Sequence, residues 1–474
     1  MSIGGGPAAN GIVGLNFPDS TFTLTNVDNT ISGDGTIGTG VEFTNDGTIE
    51  TNNSTSSKGG TLAIQLNETF NGGSFINNGT VRADNGGTLI LGGDGYSELI
   101  DNEAVVSVIN SGAQATKLEI AGKLTISGST HAGFIELAGS NAQTGDEIVS
   151  DGHAATLTLI NQTLKGAGVV GDSDLTIDNV SGTIEANIAG ETLALGGLLA
   201  GAPEISNGGT LEATNGGYLE DLFAPVDNTG TITASGGGIV LFGQAVSGSG
   251  AIDIGAGGAV EFVSSLAGNV TFTGSNATLI VGHAGIGGQI LGAALTDSID
   301  AGLIPFAASE HVVWQQTSSS GGTLSLYNNG LDLASFNLAG QFNSLDFNVN
   351  AGIGVGTNIT IQNTPVYPGN PGNNDEWILS DGNWAESAGP GSHPSGYNVA
   401  LTGDWTGNGT DGIVWFNPTT GDTDEWQLSN TQWSASADLG THPANSTDGA
   451  SYQIAGTDAS TDFTGNGRDD VLWT

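Results

Sequence analysis

Short runs of alternating apolar and polar residues dominate the first 360 or so positions of this chain. In TNDGTIETN, INNGTVRAD, SNGGTLEAT and DNTGTITAS, a turn of Asn, Asp and Gly precedes a Thr and then a strand-like alternation. The same unit reads NDGTIET at Asn45, NNGTVRA at Asn77, NGGTLEA at Asn207 and NTGTITA at Asn228, with the Gly before each Thr at 47, 79, 209 and 230. Between these units lie second strands such as GGTLILGG at Gly86 and GGGIVLFG at Gly236. Period-two runs bounded by residues that tolerate a left-handed backbone predict β-strands joined by tight turns. No long segment carries apolar residues at helical spacing, so helices are excluded as a main element.

The units also recur on a larger scale. TLTNVDNTISGDGTIGTG from Thr23 returns as TLTLINQTLKGAGVVGDS from Thr156, with Thr30, Gly33, Gly35 and Gly38 matched by Thr163, Gly166, Gly168 and Gly171. Self-similarity of this kind is the mark of a stacked repeat. Coils of roughly 20 to 30 residues, each short of a core of its own, predict a parallel β-solenoid in which inward Ile, Leu and Val form one apolar column. The repeats define residues 1–275. Residues 276–363, with TDSIDAGLIPF and a hairpin-like NNG turn at Asn328, read as a closing β-region that covers the otherwise pairing-competent last coil.

TPVYPGNPGNN over 364–374 reads as a linker. Beyond it the composition changes, with seven of the eight Trp after residue 374. DEWILSDGNW at Asp375 recurs as DEWQLSNTQW at Asp424, and His393–Pro394 as His442–Pro443. Two copies of one Trp-containing, strand-rich unit over 375–474 predict propeller-blade-like repeats. The fold class is therefore all-β, a β-solenoid followed by a smaller β-domain.

Charge narrows the partners. The 49 Asp and Glu against 6 Lys and Arg give a formal net charge of −43. Nucleic acid, whose binding needs Lys and Arg to neutralise phosphates, is excluded as a partner, and so is an anionic membrane surface. Multivalent cations are natural counterions. Cysteine is absent, so no disulfide, thiolate nucleophile or Cys-based zinc site exists. No apolar stretch is long enough to span a membrane as a helix, and the N-terminus MSIGGGPAANGIVG lacks a basic start and a long apolar run.

Two loops carry candidate chemistry. DWTGNGTDGIVW starts at Asp404 and DFTGNGRDDVLW at Asp462. In the second, Asp462, Thr464, Asn466, the Arg468 carbonyl and Asp470 place oxygen atoms at alternating positions around bending glycines. That pattern suits calcium, a hard cation that accepts carboxylate, amide and carbonyl oxygen. The first offers Asp404, Thr406, Asn408 and the Thr410 carbonyl; Gly412 stands at its last ligand place, and Asp411 comes one residue early. A metal-free turn closed by side-chain hydrogen bonds is the competing reading.

The pattern D-x-T-G-N-G-x-x-D resembles FG-GAP/VCBS-type repeats, and the resemblance covers about the last 100 residues. In that family the loop binds calcium, a role the resemblance carries to Asp462, Asn466 and Asp470. Two blades do not close a propeller, which takes four or more. FTNDGTIET, INNGTVRADNGGTLILGG and the TDSIDA…GGTLSL module resemble the β-strand-repeat surface proteins of alphaproteobacteria. That resemblance implies a secreted or cell-surface, adhesin-like protein with a glycan, a cell-surface or matrix protein, or a second copy of itself as partner. Many parallel β-helices are polysaccharide lyases or glycosidases. A lyase needs clustered Arg or Lys, which Lys58, Arg82, Lys117, Lys123, Lys165 and Arg468 do not form in sequence, whereas a glycosidase needs only two suitably spaced carboxylates. A non-catalytic protein is the expectation, with the polysaccharide-degrading enzyme and a phage-fibre or tail-spike protein as alternatives. Trp384 and Trp433 are the candidates for exposed aromatic contact, and Trp377 and Trp426 for the core.

Overall fold

The structure, a computed structural model, describes residues 2–3, 11–13, 22–38, 41–52, 60–65, 74–110, 115–129, 131, 133–138, 145–282, 286–342, 344–352, 356–362, 374–380, 383–391, 398–403, 412–417, 420, 422–429, 432–441, 454–455 and 472–473. The chain divides into two compact units, Met1–Thr364 and Pro365–Thr474. Among the described residues there is no α-helix and a single 3-10 turn, Ser344–Asp346.

The first unit is a parallel β-solenoid whose coils contribute one strand to each of three faces. On the first face Thr48–Asn52, Thr80–Asp84 and Val105–Ile109 stack in parallel register, and the series runs on through Thr183–Ala186, Thr210–Ala213 and Thr231–Ala234 to Ala251–Ile254. The second face runs from Gly35–Gly38 through Thr61–Gln65 and Tyr218–Asp221 to Ser298–Ala301. The third includes Phe22–Asn26, Val41–Asn45 and Ala155–Ile160 and reaches Val246–Ser247. The N-x-G-T unit is the corner between the third face and the first.

Alternation places every second residue inside. Ile49, Val81, Val106, Ile135, Leu164 and Ile184 are fully buried, and register makes each the neighbour of the next. Burying such a side chain is worth about 1.5–3 kcal/mol. Like side chains also stack on like: the Phe43 and Phe75 rings lie 5.3 Å apart and nearly parallel, and Phe242 and Phe262 repeat the arrangement at 5.8 Å.

Parallel stacking extends through Thr278–Val281 to Ser298–Ala301, past the first residues of the closing region. Antiparallel pairing then takes over. Thr357–Ile361 pairs with Ser298–Ala301 on one side and with Phe347–Ala351 on the other. Glu310–Ser318, Gly321–Asn328 and Leu331–Ala339 form an antiparallel meander, joined to the stack where Ile290 meets Leu338. The predicted NNG hairpin is present, with Asn329 at φ 49° and Gly330 at φ 81°, the left-handed pair a tight hairpin turn requires. Trp314 packs edge-on to Phe342 at 5.3 Å and against Phe347, giving this end an aromatic core.

The second unit contains the hairpin Asn374–Ser380 with Asn383–Gly391, and a four-stranded antiparallel sheet in the order Asn398–Gly403, Gly412–Phe416, Asp422–Ser429, Gln432–Thr441. Ile454–Ala455 pairs with Leu472–Trp473. The two DEW segments build one hairpin twice. Leu379 faces Trp384 across the first and Leu428 faces Trp433 across the second, with an irregularity just before each Leu. Of the predicted 364–374 linker, 364–373 lie outside the described residues and Asn374 begins a strand.

Candidate functional site

All ten predicted calcium ligands, Asp404, Thr406, Asn408, Thr410, Asp411, Asp462, Thr464, Asn466, Arg468 and Asp470, lie outside the described residues. Their flanking strands are described. Gly403 and Gly412, the residues on either side of the first loop, face each other across an antiparallel pair. Ala455 and Leu472 do the same around the second. In the sheet that carries Gly403 and Gly412, Trp415 is buried and packs against half-buried Trp426, their rings 5.3 Å apart. Among the described residues no three Asp, Glu or His side chains converge as a metal group would require.

Inside the solenoid, the Asn that opens the N-x-G-T units at 45, 77, 207 and 228, together with Asn26, Asn102 and Asn179 at other corners, has a second role that its turn-forming propensity did not announce. The Asn26 amide donates to Asn45 Oδ1 at 2.8 Å, Asn45 to Asn77 at 2.9 Å, and Asn77 to Asn102 at 2.8 Å. Asn102 then donates to Gln162 Oε1 at 2.8 Å. A second run links Asn179, Asn207 and Asn228 at 2.8 and 2.7 Å. A carboxamide can accept from the coil before and donate to the coil after, so a buried column of them satisfies itself. Between the runs the register changes: Leu159 on one coil faces Asn179 on the next, and Gln162 occupies the ladder from one residue beyond Asn161. The extra methylene supplies the reach. Asn179 Oδ1, at the break, receives no hydrogen bond among the described residues.

Charges occupy the outward columns. On the first face Arg82 pairs with Glu50 (Nε to Oε2, 3.0 Å), and Lys165 lies 4.1 Å over the Phe134 ring. Lys117 pairs with Glu147 at 2.9 Å on the second face, and Lys123 belongs to the third. The described basic residues are thus spread over all three faces. Glu185 and Glu212 are neighbours in register, and burial, then the Glu185 charge, pushes the Glu212 carboxyl up. Burial also raises Glu119, a rise that Lys117 opposes and Asp151, Asp172 and Glu147 reinforce.

No family model, curated protein or solved structure matches the chain. Function has to be argued from its own residues.

Among the described residues six carboxylates of the first unit are buried, Glu98, Asp146, Asp221, Asp297, Asp300 and Glu310, and Asp221 is the one whose charge the surroundings oppose most plainly. Asp221 faces buried Phe242 of the next coil in register and is 1% exposed. Its Oδ1 accepts the N–H groups of Phe223 (3.2 Å) and Ala224 (2.9 Å), and its buried Oδ2 has no hydrogen-bond partner among the described residues. Burial pushes its carboxyl up to about 6, against the two backbone hydrogen bonds that lower it. The alternation YLED gave the only sign of it, an acid where an aliphatic belongs.

Proposed function

We propose that this is a non-catalytic, adhesin-like repeat protein of the bacterial surface or extracellular space. In this reading the solenoid is a mechanical spacer, and the Trp-containing module that follows it in the chain contacts a surface, a glycan or a protein. The two glycine-rich loops bind calcium and lock the strands they join. The observation that carries the spacer role is the parallel stack of the second face from Gly35–Gly38 to Ser298–Ala301 over one buried core. In such a stack each coil contacts only its neighbours, so length is added coil by coil, as a spacer requires.

Two features support the calcium-stabilised module. The DEW hairpins share one register, as two copies of a blade-like unit would. Each loop also joins two strands that pair with one another, so a cation held there would tie both strand ends. Asp, Asn and Thr oxygens are the donors that calcium prefers.

The test uses the full chain. Calcium at about one hundred times its Kd is expected to stabilise a binding unit by ~2.7 kcal/mol, read as a rise of several degrees in the melting of that unit. Asp470→Ala should abolish most of the rise and Asp404→Ala part of it. A melting profile indifferent to chelator overturns the metal role. For the spacer-and-contact role, the chain is incubated with a polysaccharide panel: retention without new reducing or unsaturated ends is expected, and turnover would establish an enzyme instead.

A further inference from the structure

The outward surface of the solenoid differs sharply between its faces. In the coils between Ile205 and Phe262, the first face turns Glu212, Thr233 and Asp253 outward in one column. The third face turns out Ser206, Asp227 and Ser247. Both are what water demands of a free surface. The second face carries Tyr218 beside Ile239 in one outward column, and Glu220, Leu241, Glu261 and Ile280 in the next. Leu219, Val240, Val260 and Leu279 alternate with them and are buried, which fixes the direction of these six. Tyr218 is 41% exposed and the other five are half-buried by their own neighbours.

Large aliphatic and aromatic side chains thus stand outward on one face where the named outward columns of the other two faces of the same coils are polar.

Within that strip Glu220 and Glu261 stand two strands apart, about 9.5 Å at the strand spacing of a sheet. Neither has a basic partner among the described residues. Burial raises the Glu261 carboxyl, and Asp300 and Glu220 raise it further, so its negative charge is held in surroundings that favour an incoming cation.

We propose that this strip, Tyr218 to Ile280 on the second face, is a docking surface for a basic, amphipathic segment of another protein, whose aliphatic side chains cover Ile239 and Leu241 while its Lys or Arg pair with Glu220 and Glu261. Charge complementarity selects the occupant. A second copy of the chain brings a net charge of −43 to the same surface and is repelled. A purely polar cation would satisfy the carboxylates and leave the aliphatic strip wet. The surface lies in the solenoid and does not depend on the calcium loops or on the spacer role.

The probe is a synthetic peptide of alternating Leu and Lys, titrated into the full chain at physiological salt, with an alternating Ser and Lys peptide of equal charge as comparison. The Leu–Lys peptide is expected to bind about tenfold more tightly than the Ser–Lys peptide. The pair Ile239→Thr and Leu241→Thr should remove that advantage, and Glu261→Gln alone should weaken binding several-fold. Glu212→Gln with Asp253→Asn, which removes the same kind of charge from the first face, should leave binding within about twofold of the parent. Thr is a good strand former and Glu261→Gln changes no shape, so unaltered circular dichroism is expected for every variant. Equal binding of both peptides, or equal weakening by the first-face pair, would reduce the effect to bulk charge and overturn the proposal. Sedimentation of the parent as a dimer that the Thr pair converts to monomer would assign the strip to a second copy and overturn it as well.

Discussion

At the scale of the residue, the glycines and one aspartate decide most. A Cβ built on Gly230 would lie 2.1 Å from the Gly209 carbonyl oxygen of the coil before, and one on Gly209 would lie 2.1 Å from that of Gly182. The Gly of the N-x-G-T unit is therefore demanded by the neighbouring coil and not by its own backbone, since Gly47, Gly79, Gly209 and Gly230 do not have positive φ. Gly230→Ala should cost about 3 kcal/mol, because the obstacle is backbone and has no room to yield. Gly190→Ala, at φ 75° with open space around it, should cost only about 1 kcal/mol in backbone strain. Urea midpoints of the two variants check the contrast. Asp221 gives a signed pH dependence. Its carboxyl moves from 3.8 to about 6 on folding, so between those values the folded chain holds more of this proton than the unfolded one. Its contribution is consequently best below pH 3.8, falls as pH rises through about 6, and is flat beyond. At pH 7 the buried charge costs about 3 kcal/mol. Asp221→Asn keeps the Oδ1 acceptor and removes the charge, so it should stabilise the protein by about 2 to 3 kcal/mol at pH 7 and by little at pH 3.5. Denaturation curves at the two pH values decide it, and an equal effect at both would show that the charge is not what matters.

At the scale of the element, the ladder and the hairpins show how repeats are held in register. Asn207 accepts from Asn179 at 2.8 Å and donates to Asn228 at 2.7 Å and to the Thr231 carbonyl at 3.2 Å. Asn207→Ala strands a buried donor above and a buried acceptor below, each worth about 1 to 3 kcal/mol. A loss of about 3 kcal/mol in urea unfolding is expected, with hydrogen exchange accelerated first in the coils around Asn179 and Asn228. The N-x-G-T repeat made these corners legible in the sequence. The ladder was less so, because Asn in a turn is explained by its backbone tolerance alone, and only stacking reveals what its side chain does. The DEW repeat likewise foretold two equivalent elements. The pairing adds what a repeat does not contain, namely that Leu379 meets Trp384 and Leu428 meets Trp433.

At the scale of the whole molecule, charge and stacking set the terms. With a net charge of −43 the folded chain repels itself, so raising salt from about 0.01 M to 1 M shortens the screening length from about 30 to 3 Å and should raise the melting temperature. Thermal scans across that range check the prediction; a melting temperature that falls would mean specific ion pairs outweigh self-repulsion. The sequence by itself determined the all-β class, the period of the coils, their tight turns and the sign of the chain's own charge, because alternation, glycine placement and net charge are local or additive properties that no folding is needed to read. It also marked residues 404–412 and 462–470 as oxygen-rich loops. Only the tertiary structure decided which turns share a ladder, that Asp221 is buried facing Phe242, and that one face of three collects Tyr218, Ile239 and Leu241 outward. Residues separated by a whole coil become neighbours one strand apart, and the chain's own order carries no record of that adjacency until the coils stack.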